Sequence, residues 1–290
     1  MPSVTARGLV KRYGPLCAVD DVSFEVDAGE VVALLGPNGA GKTTTVEILE
    51  GFREADEGSA EVLGHPPGSR AVAERVGVMP QDGELYAGIR PVEALRQFAS
   101  FYTDAAAPAE LLERVGLADA ARTNWRRLSG GQKQRLSLAL ALIGKPEVAF
   151  LDEPTAGMDV HARAQTWTLV RELVDGGCAV LLTTHLLEEA ERVADRIVIV
   201  HRGRIVASGT PQDLLASNEL TFRAPGDLDT SSFESRIVRD GPGAYRIAGV
   251  DADPALVARL TAWLADRGVL ATEVRVGRRS LEDVFLELTR

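Results

Sequence analysis

Gly36-Pro37-Asn38-Gly39-Ala40-Gly41-Lys42-Thr43 follows an unbroken apolar run, Val31-Val32-Ala33-Leu34-Leu35, and opens a helical stretch from Lys42 to Leu49. The octet fits the pattern G-x-x-x-x-G-K-[ST] in its proper context, after a strand and before a helix. The context matters as much as the letters. An apolar run with no polar face reads as a strand buried on both sides. Glycines let successive backbone amides curl around phosphate oxygens, and the helix N-terminus adds partial positive charge. Lys42 is expected to reach the β- and γ-phosphates of a nucleotide, and the Thr43 hydroxyl to ligate Mg²⁺. The nucleotide-binding stretch is taken to run through Thr44.

A second apolar strand, Val148-Ala149-Phe150-Leu151, ends in the acids Asp152 and Glu153. A carboxylate at a strand tip can enter the Mg²⁺ shell, and its neighbour can polarise an attacking water. Acids often end strands simply because loops are solvated. With Lys42 upstream, the two motifs together imply an ATPase.

Outward from these motifs the chain alternates strands and helices. Val4 to Lys11, Val22 to Asp27, Val76 to Met79, Val180 to Thr183, Ile197 to Val200 and Arg204 to Ala207 read as strands. Ala162 to Val174 and Leu186 to Ala194 read as helices. From about Pro91 to Arg127 apolar residues recur at helical spacing (Leu95, Phe98, Ala99, Tyr102; Leu111, Leu112, Val115), and Leu136 to Ile143 continues as helix. The expected fold is therefore α/β: an ATPase core with a mainly parallel sheet, an antiparallel β subdomain and a helical subdomain inserted at about 83–145. After a short helix from Pro211 to Ala216 the texture changes. Ala224 to Asp229 and Asp240 to Gly243 are turn-rich, Tyr245 to Ile247 and Ala271 to Val276 read as strands, and Pro254 to Asp266 and Leu281 to Leu288 as amphipathic helices. The chain thus divides into 1–217 and a small α+β accessory domain, 218–290.

Composition excludes several other classes. The 290 residues carry 32 Lys and Arg against 42 Asp and Glu, a formal charge of -10, which argues against an electrostatic grip on nucleic acid. No apolar run approaches the roughly 18 residues needed to span a bilayer. Cys17 and Cys178 are too few for a disulfide framework or zinc site and read as free thiols in a reducing compartment. The four histidines lack metal-ligand spacing.

Leu128-Ser129-Gly130-Gly131-Gln132 decides which ATPase this is: the pentapeptide resembles the signature motif of the ATP-binding cassette (ABC) family. It precedes a helix, so glycine amides and a serine hydroxyl would again face phosphate at a helix N-terminus. The other family motifs follow in order. Tyr13 resembles the aromatic residue that stacks on adenine, Gln81 the glutamine that senses Mg²⁺ and water, and His185 the histidine at the γ-phosphate. Thr155-Ala156-Gly157-Met158-Asp159 resembles the loop that crosses the dimer interface, with Met158 where the family usually has Leu and Val160 where Pro is common. The cassette resemblance covers roughly residues 3 to 217. From Ser217 onward, and in Leu281 to Leu288 above all, the chain resembles the C-terminal extension of daunorubicin-resistance exporter ATPases; a plain packing helix is the competing reading there.

The resemblance implies an ATP-hydrolysing transporter subunit that takes ATP and Mg²⁺ and dimerises head to tail. The loop from Gly36 through Thr43 holds ATP from one side, and Ser129 to Gln132 of a second copy cover it, with Asp159 at the interface. Glu153 handles the water, His185, Lys42 and Gln81 complete the catalytic set, and Thr43, Gln81 and Asp152 serve the metal. The implied partners are a second copy and an integral membrane permease. The latter would dock near Asp82 to Tyr102, where Tyr86 and Phe98 are either contacts or core residues. Cargo is not expected to bind this chain, and the expected location is the cytoplasmic face of the cell membrane. The competing function is a cassette ATPase with an assembly or mechanical role and no membrane partner. A single cassette, without tandem copy, heptad insertion or zinc module, speaks against several versions of it.

Overall fold

The computed structural model describes residues 2–81, 83–215, 218–234, 236–247, 250–278 and 281–288. Contacts divide the chain into two compact units, Met1–Thr210 and Pro211–Leu288. The junction expected at 217 falls on Ser217, which lies outside the described residues, as do Ala216 and Asp82.

The first unit opens with a hairpin, β1 (Val4–Tyr13) and β2 (Leu16–Val26), turning at Gly14-Pro15. With β4 (Glu57–Val62) these strands form an antiparallel sheet in the order β2-β1-β4. Six strands make the central sheet: β3 (Val31–Leu35), β5 (Val76–Met79), β6 (Val148–Asp152), β7 (Ala179–Thr183), β8 (Arg196–His201) and β9 (Arg204–Gly209). Their order is β5-β6-β7-β3-β8-β9, parallel except for β9 at one edge. Every residue of β3, β6 and β7 is buried, as unbroken apolar strands covered on both faces must be. One face packs on the antiparallel sheet and on α1 (Lys42–Glu50), through Val32, Leu34, Phe150 and Leu181 against Leu9, Val22, Val46 and Leu49.

The chain leaves the sheet after β5 and returns at β6, its neighbour, by way of α2 (Pro91–Ala99), α3 (Pro108–Arg114) and α4 (Gly130–Leu142). These form the expected helical insertion. α4 lies hard against β5: a Cβ on Gly77 would stand 2.1 Å from the Ala141 carbonyl oxygen. α5 (Val160–Asp175) and α6 (Leu187–Val193) make the remaining crossovers.

The second unit holds α7 (Pro211–Leu214), β10 (Asn218–Arg223), β11 (Ile237–Gly241), β12 (Ala244–Ile247), α8 (Pro254–Asp266), β13 (Glu273–Arg278) and α9 (Leu281–Leu288). Its four strands form an antiparallel sheet, β11-β12-β10-β13. Leu256, Leu260 and Leu264, one helical turn apart on α8, cover one face through Leu220, Phe222, Tyr245 and Ile247. Three strands escaped the sequence reading. β4 carries Gly58, Ser59 and two glutamates, poor strand formers that pairing with β1 overrides. β10 begins at the expected junction, and Arg239 and Asp240 dilute β11.

Candidate functional site

Parallel neighbours end together. In the sheet Leu34 pairs with Thr183 and Thr183 with Asp152, so the loop after β3, the acids after β6 and the turn after β7 emerge at one edge. This is where open α/β sheets place their sites.

Two glycines of the octet are held by tertiary packing. A Cβ on Gly36 would stand 2.4 Å from the Val200 carbonyl oxygen, and one on Gly41, at φ 103°, would stand 2.1 Å from that of Ala18. No side chain fits at either point. Gly41 then caps α1, leaving the helix N-terminus open. The Lys42 ammonium donates to the carbonyls of Gly36 at 2.7 Å and Pro37 at 3.2 Å. Burial lowers its pKa, while Glu153 and Asp152 act in the opposite sense.

Asp152 is buried, and burial raises its pKa against the lowering effect of the Thr183 hydroxyl, which donates to its Oδ1. Glu153 sits at φ 48°, a left-handed backbone that a non-glycine residue rarely holds. Three contacts hold it there. Its amide donates to the Thr183 carbonyl at 3.1 Å and the Thr183 hydroxyl at 3.2 Å, and its carbonyl accepts from Gln134 Nε2 at 2.8 Å. Its carboxylate stands 3.0 Å from His185 Nδ1. Strain of this kind gathers at functional positions.

A cleft of about 420 Å³ is lined by Asn38, Gly39, Gly41, Lys42, Thr43, Thr44, Gln81, Asp152 and Glu153, with Tyr13, Leu16 and Ala18 along one side. Tyr13 is partly exposed, with the Arg53 guanidinium 5.5 Å above its ring. Ser129, Gly130, Gly131, Gln132 and Asp159 do not line this cleft. Ser129 caps α4 in a reciprocal box with Gln132: its Oγ accepts from the Gln132 amide at 3.2 Å, and Gln132 Oε1 accepts from the Ser129 amide at 2.9 Å. Asp159 caps α5, accepting from the Ala162 amide at 2.9 Å. Of the two docking candidates, Tyr86 is 82% exposed, while Phe98 is half-buried with its ring edge-on to Phe101. Tyr86 is therefore no core residue.

Thr183 and Gln134 went unnoticed in the sequence because a threonine ending a strand and a glutamine inside a helix carry no local signal. Glu50 was also missed. It ends α1, is buried, and its Oε1 has no hydrogen-bond partner. Burial, then the like charges of Asp152 and Glu47, push its carboxyl up to about 7.

A glycine loop at a helix N-terminus, a buried lysine and two carboxylates in one cleft define a phosphate-loop ATPase. Comparison with known proteins narrows the class. The profile of the ABC transporter family matches residues 19–156. The chain is 38% identical to the daunorubicin resistance ATP-binding protein DrrA3 of Streptomyces coeruleorubidus, over 99% of this chain and 96% of that one. It is 40% identical to the Nod factor export ATP-binding protein I of Ralstonia nicotianae, over 99% and 94%. A solved ATP-binding subunit of an ABC transporter superposes with a TM-score of 0.68 at 32% identity, covering 73% of this chain and 92% of that one. The chain belongs to the ABC transporter family, as an ATP-binding and ATP-hydrolysing subunit related to the DrrA and NodI proteins.

Proposed function

We propose that this chain binds MgATP in the 420 Å³ cleft and hydrolyses it to power export through a separate membrane permease. The observation that carries the reading is the meeting of Lys42, Asp152 and Glu153 in one cleft, with His185 on the Glu153 carboxylate. Tyr13 offers its ring to adenine. The amides from Gly36 to Thr44 and the Lys42 ammonium hold the phosphates and stabilise charge on the transferring phosphoryl group. Among the described residues no cluster of three His, Cys, Asp or Glu could hold a metal by itself. The fitting donors are few and oxygen-rich, the Thr43 hydroxyl, Gln81 and Asp152, which suits Mg²⁺ shared with a nucleotide. Bound there, Mg²⁺ neutralises phosphate charge. Glu153 orients the attacking water and accepts its proton, and His185 fixes the position of that carboxylate.

The signature residues lie off this cleft, so Ser129 to Gln132 and Asp159 serve the cleft of a second copy, and two copies close head to tail around ATP. None of the described helices is long and apolar enough to cross a membrane. The permease supplies the span and holds this subunit on the cytoplasmic face, with Tyr86 and the region before α2 as the docking side. Export follows from the relatives, whose names speak of drug resistance and Nod factor export. Cargo recognition belongs to the permease, and nucleic acid has no part. Glu153→Gln is expected to abolish turnover while ATP still binds, measured by phosphate release and nucleotide titration. Undiminished hydrolysis by that variant would overturn the assignment.

A further inference from the structure

The sheet of the second unit ends on β13, and its core residues continue to that edge without cover. Leu220 and Phe222 of β10 are 0% and 2% exposed, yet their cross-strand neighbours on the same face, Val276 and Val274, are 49% and 36% exposed. The opposite edge, β11, shows no large exposed apolar residue among those described. An unpaired strand with apolar side chains at its rim is a template for another strand. Alternating with the two valines, Glu273 and Arg275 carry opposite charges and pair with each other within the chain.

We propose that two copies of this chain join through β13, antiparallel and centred on Val274, making one continuous eight-stranded sheet from two four-stranded ones. Among the symmetric registers centred on Glu273, Val274 and Arg275, one suits the charges. Centred on Val274, Glu273 of each copy stands opposite Arg275 of the other, twice. Centring on Glu273 or Arg275 sets like charges against each other, which disfavours pairing. The chain already uses this pairing internally: Arg223 lies directly across from Glu273 in β10, at 3.2 Å. In the chosen register Val274 meets its own counterpart and Val276 meets Thr272, so the apolar row begun by Leu220 and Phe222 runs on into the second copy. The contact is short. High protein concentration is therefore needed to populate it.

The inference does not rest on the nucleotide site, and its test omits nucleotide and Mg²⁺. In full-length chain carrying Cys17→Ser, with the buried Cys178 retained, single cysteines are placed by Val274→Cys or Val276→Cys. Directly opposed strand residues lie about 4.5–5.5 Å apart at Cα, within reach of a disulfide. The two thiols introduced by Val276→Cys would be four strand positions apart, about 13 Å, and out of reach. Under mild oxidation at high protein concentration, Val274→Cys should give at least about fivefold more disulfide dimer than Val276→Cys. Arg275→Glu should cut that yield about fivefold by facing Glu273, while Arg275→Lys retains it. Equal yields at 274 and 276, no dimer at 274, or a yield indifferent to Arg275→Glu would overturn the proposal. None of these outcomes bears on ATP hydrolysis.

Discussion

The central sheet of the first unit and the sheet of the second are built on opposite plans. In the first unit β3, β6 and β7 are buried along their whole length and on both faces. In the second, β12 alternates half-buried and buried, and one helix covers one face. A strand covered on both sides has no side chain free to vary, so the first sheet is a rigid platform whose strand ends can fix a catalytic cleft. A sheet covered on one side leaves a row of side chains free for other uses. Rigidity and chemistry go together in the first unit, and adaptable surface is kept for the second.

That contrast can be broken at its strongest point with Phe150→Ala. Phe150 is fully buried in β6, two residues before Asp152, and its truncation is expected to cost about 3–5 kcal/mol. Nucleotide binding should fall along with the melting temperature, because platform and cleft are one body; binding that survived a large loss of stability would break the comparison. Leu260→Ala in α8 empties the core of the second unit at about 2–4 kcal/mol. Hydrogen exchange should rise within 218–278 while ATP affinity stays within about twofold. A matching loss of ATP binding would mean the two plans are not separate.

Glu50→Gln sharpens the picture within the first unit. A carboxyl held at about 7 when folded, against 4.5 when exposed, disfavours the folded state once ionised. The penalty is absent below about 4.5, grows as pH rises, and is complete above about 7. The variant should therefore gain up to about 3 kcal/mol at pH 8 and almost nothing at pH 4.5, read from urea melts at the two values. A loss of stability at pH 8 would show that Glu50 is paired rather than stranded. The smallest effect is expected from Asp253→Ala. Asp253 caps α8 through the Leu256 amide at 2.6 Å, and its loss should lower the stability of the second unit by about 1 kcal/mol, read from its melting temperature.

How much of this was legible in the sequence follows the same division. The octet, the acid pair and the signature pentapeptide are local strings whose chemistry needs fixed spacing, so they read directly. The octet and the acid pair converge because parallel strands share an end, while the signature pentapeptide lies off their cleft. The hidden part was the support. Thr183 reaches Asp152 across 31 residues of chain, and Gln134 reaches Glu153 from another subdomain; neither contact leaves a pattern in the letters. In the second unit β10 and β11 were overlooked because a sheet covered on one face needs only sparse apolar residues, and Leu220 with Phe222 is as much as β10 provides.

The octet's glycines have a consequence for anyone who would borrow it. Gly36 is shaped by the carbonyl of Val200 and Gly41 by that of Ala18, residues distant in the chain and on different strands. The string is contiguous, but the mould that shapes it is not. Copied alone into a foreign host it would bring the letters without the curvature, so its portability depends on transplanting β2 and β8 along with it.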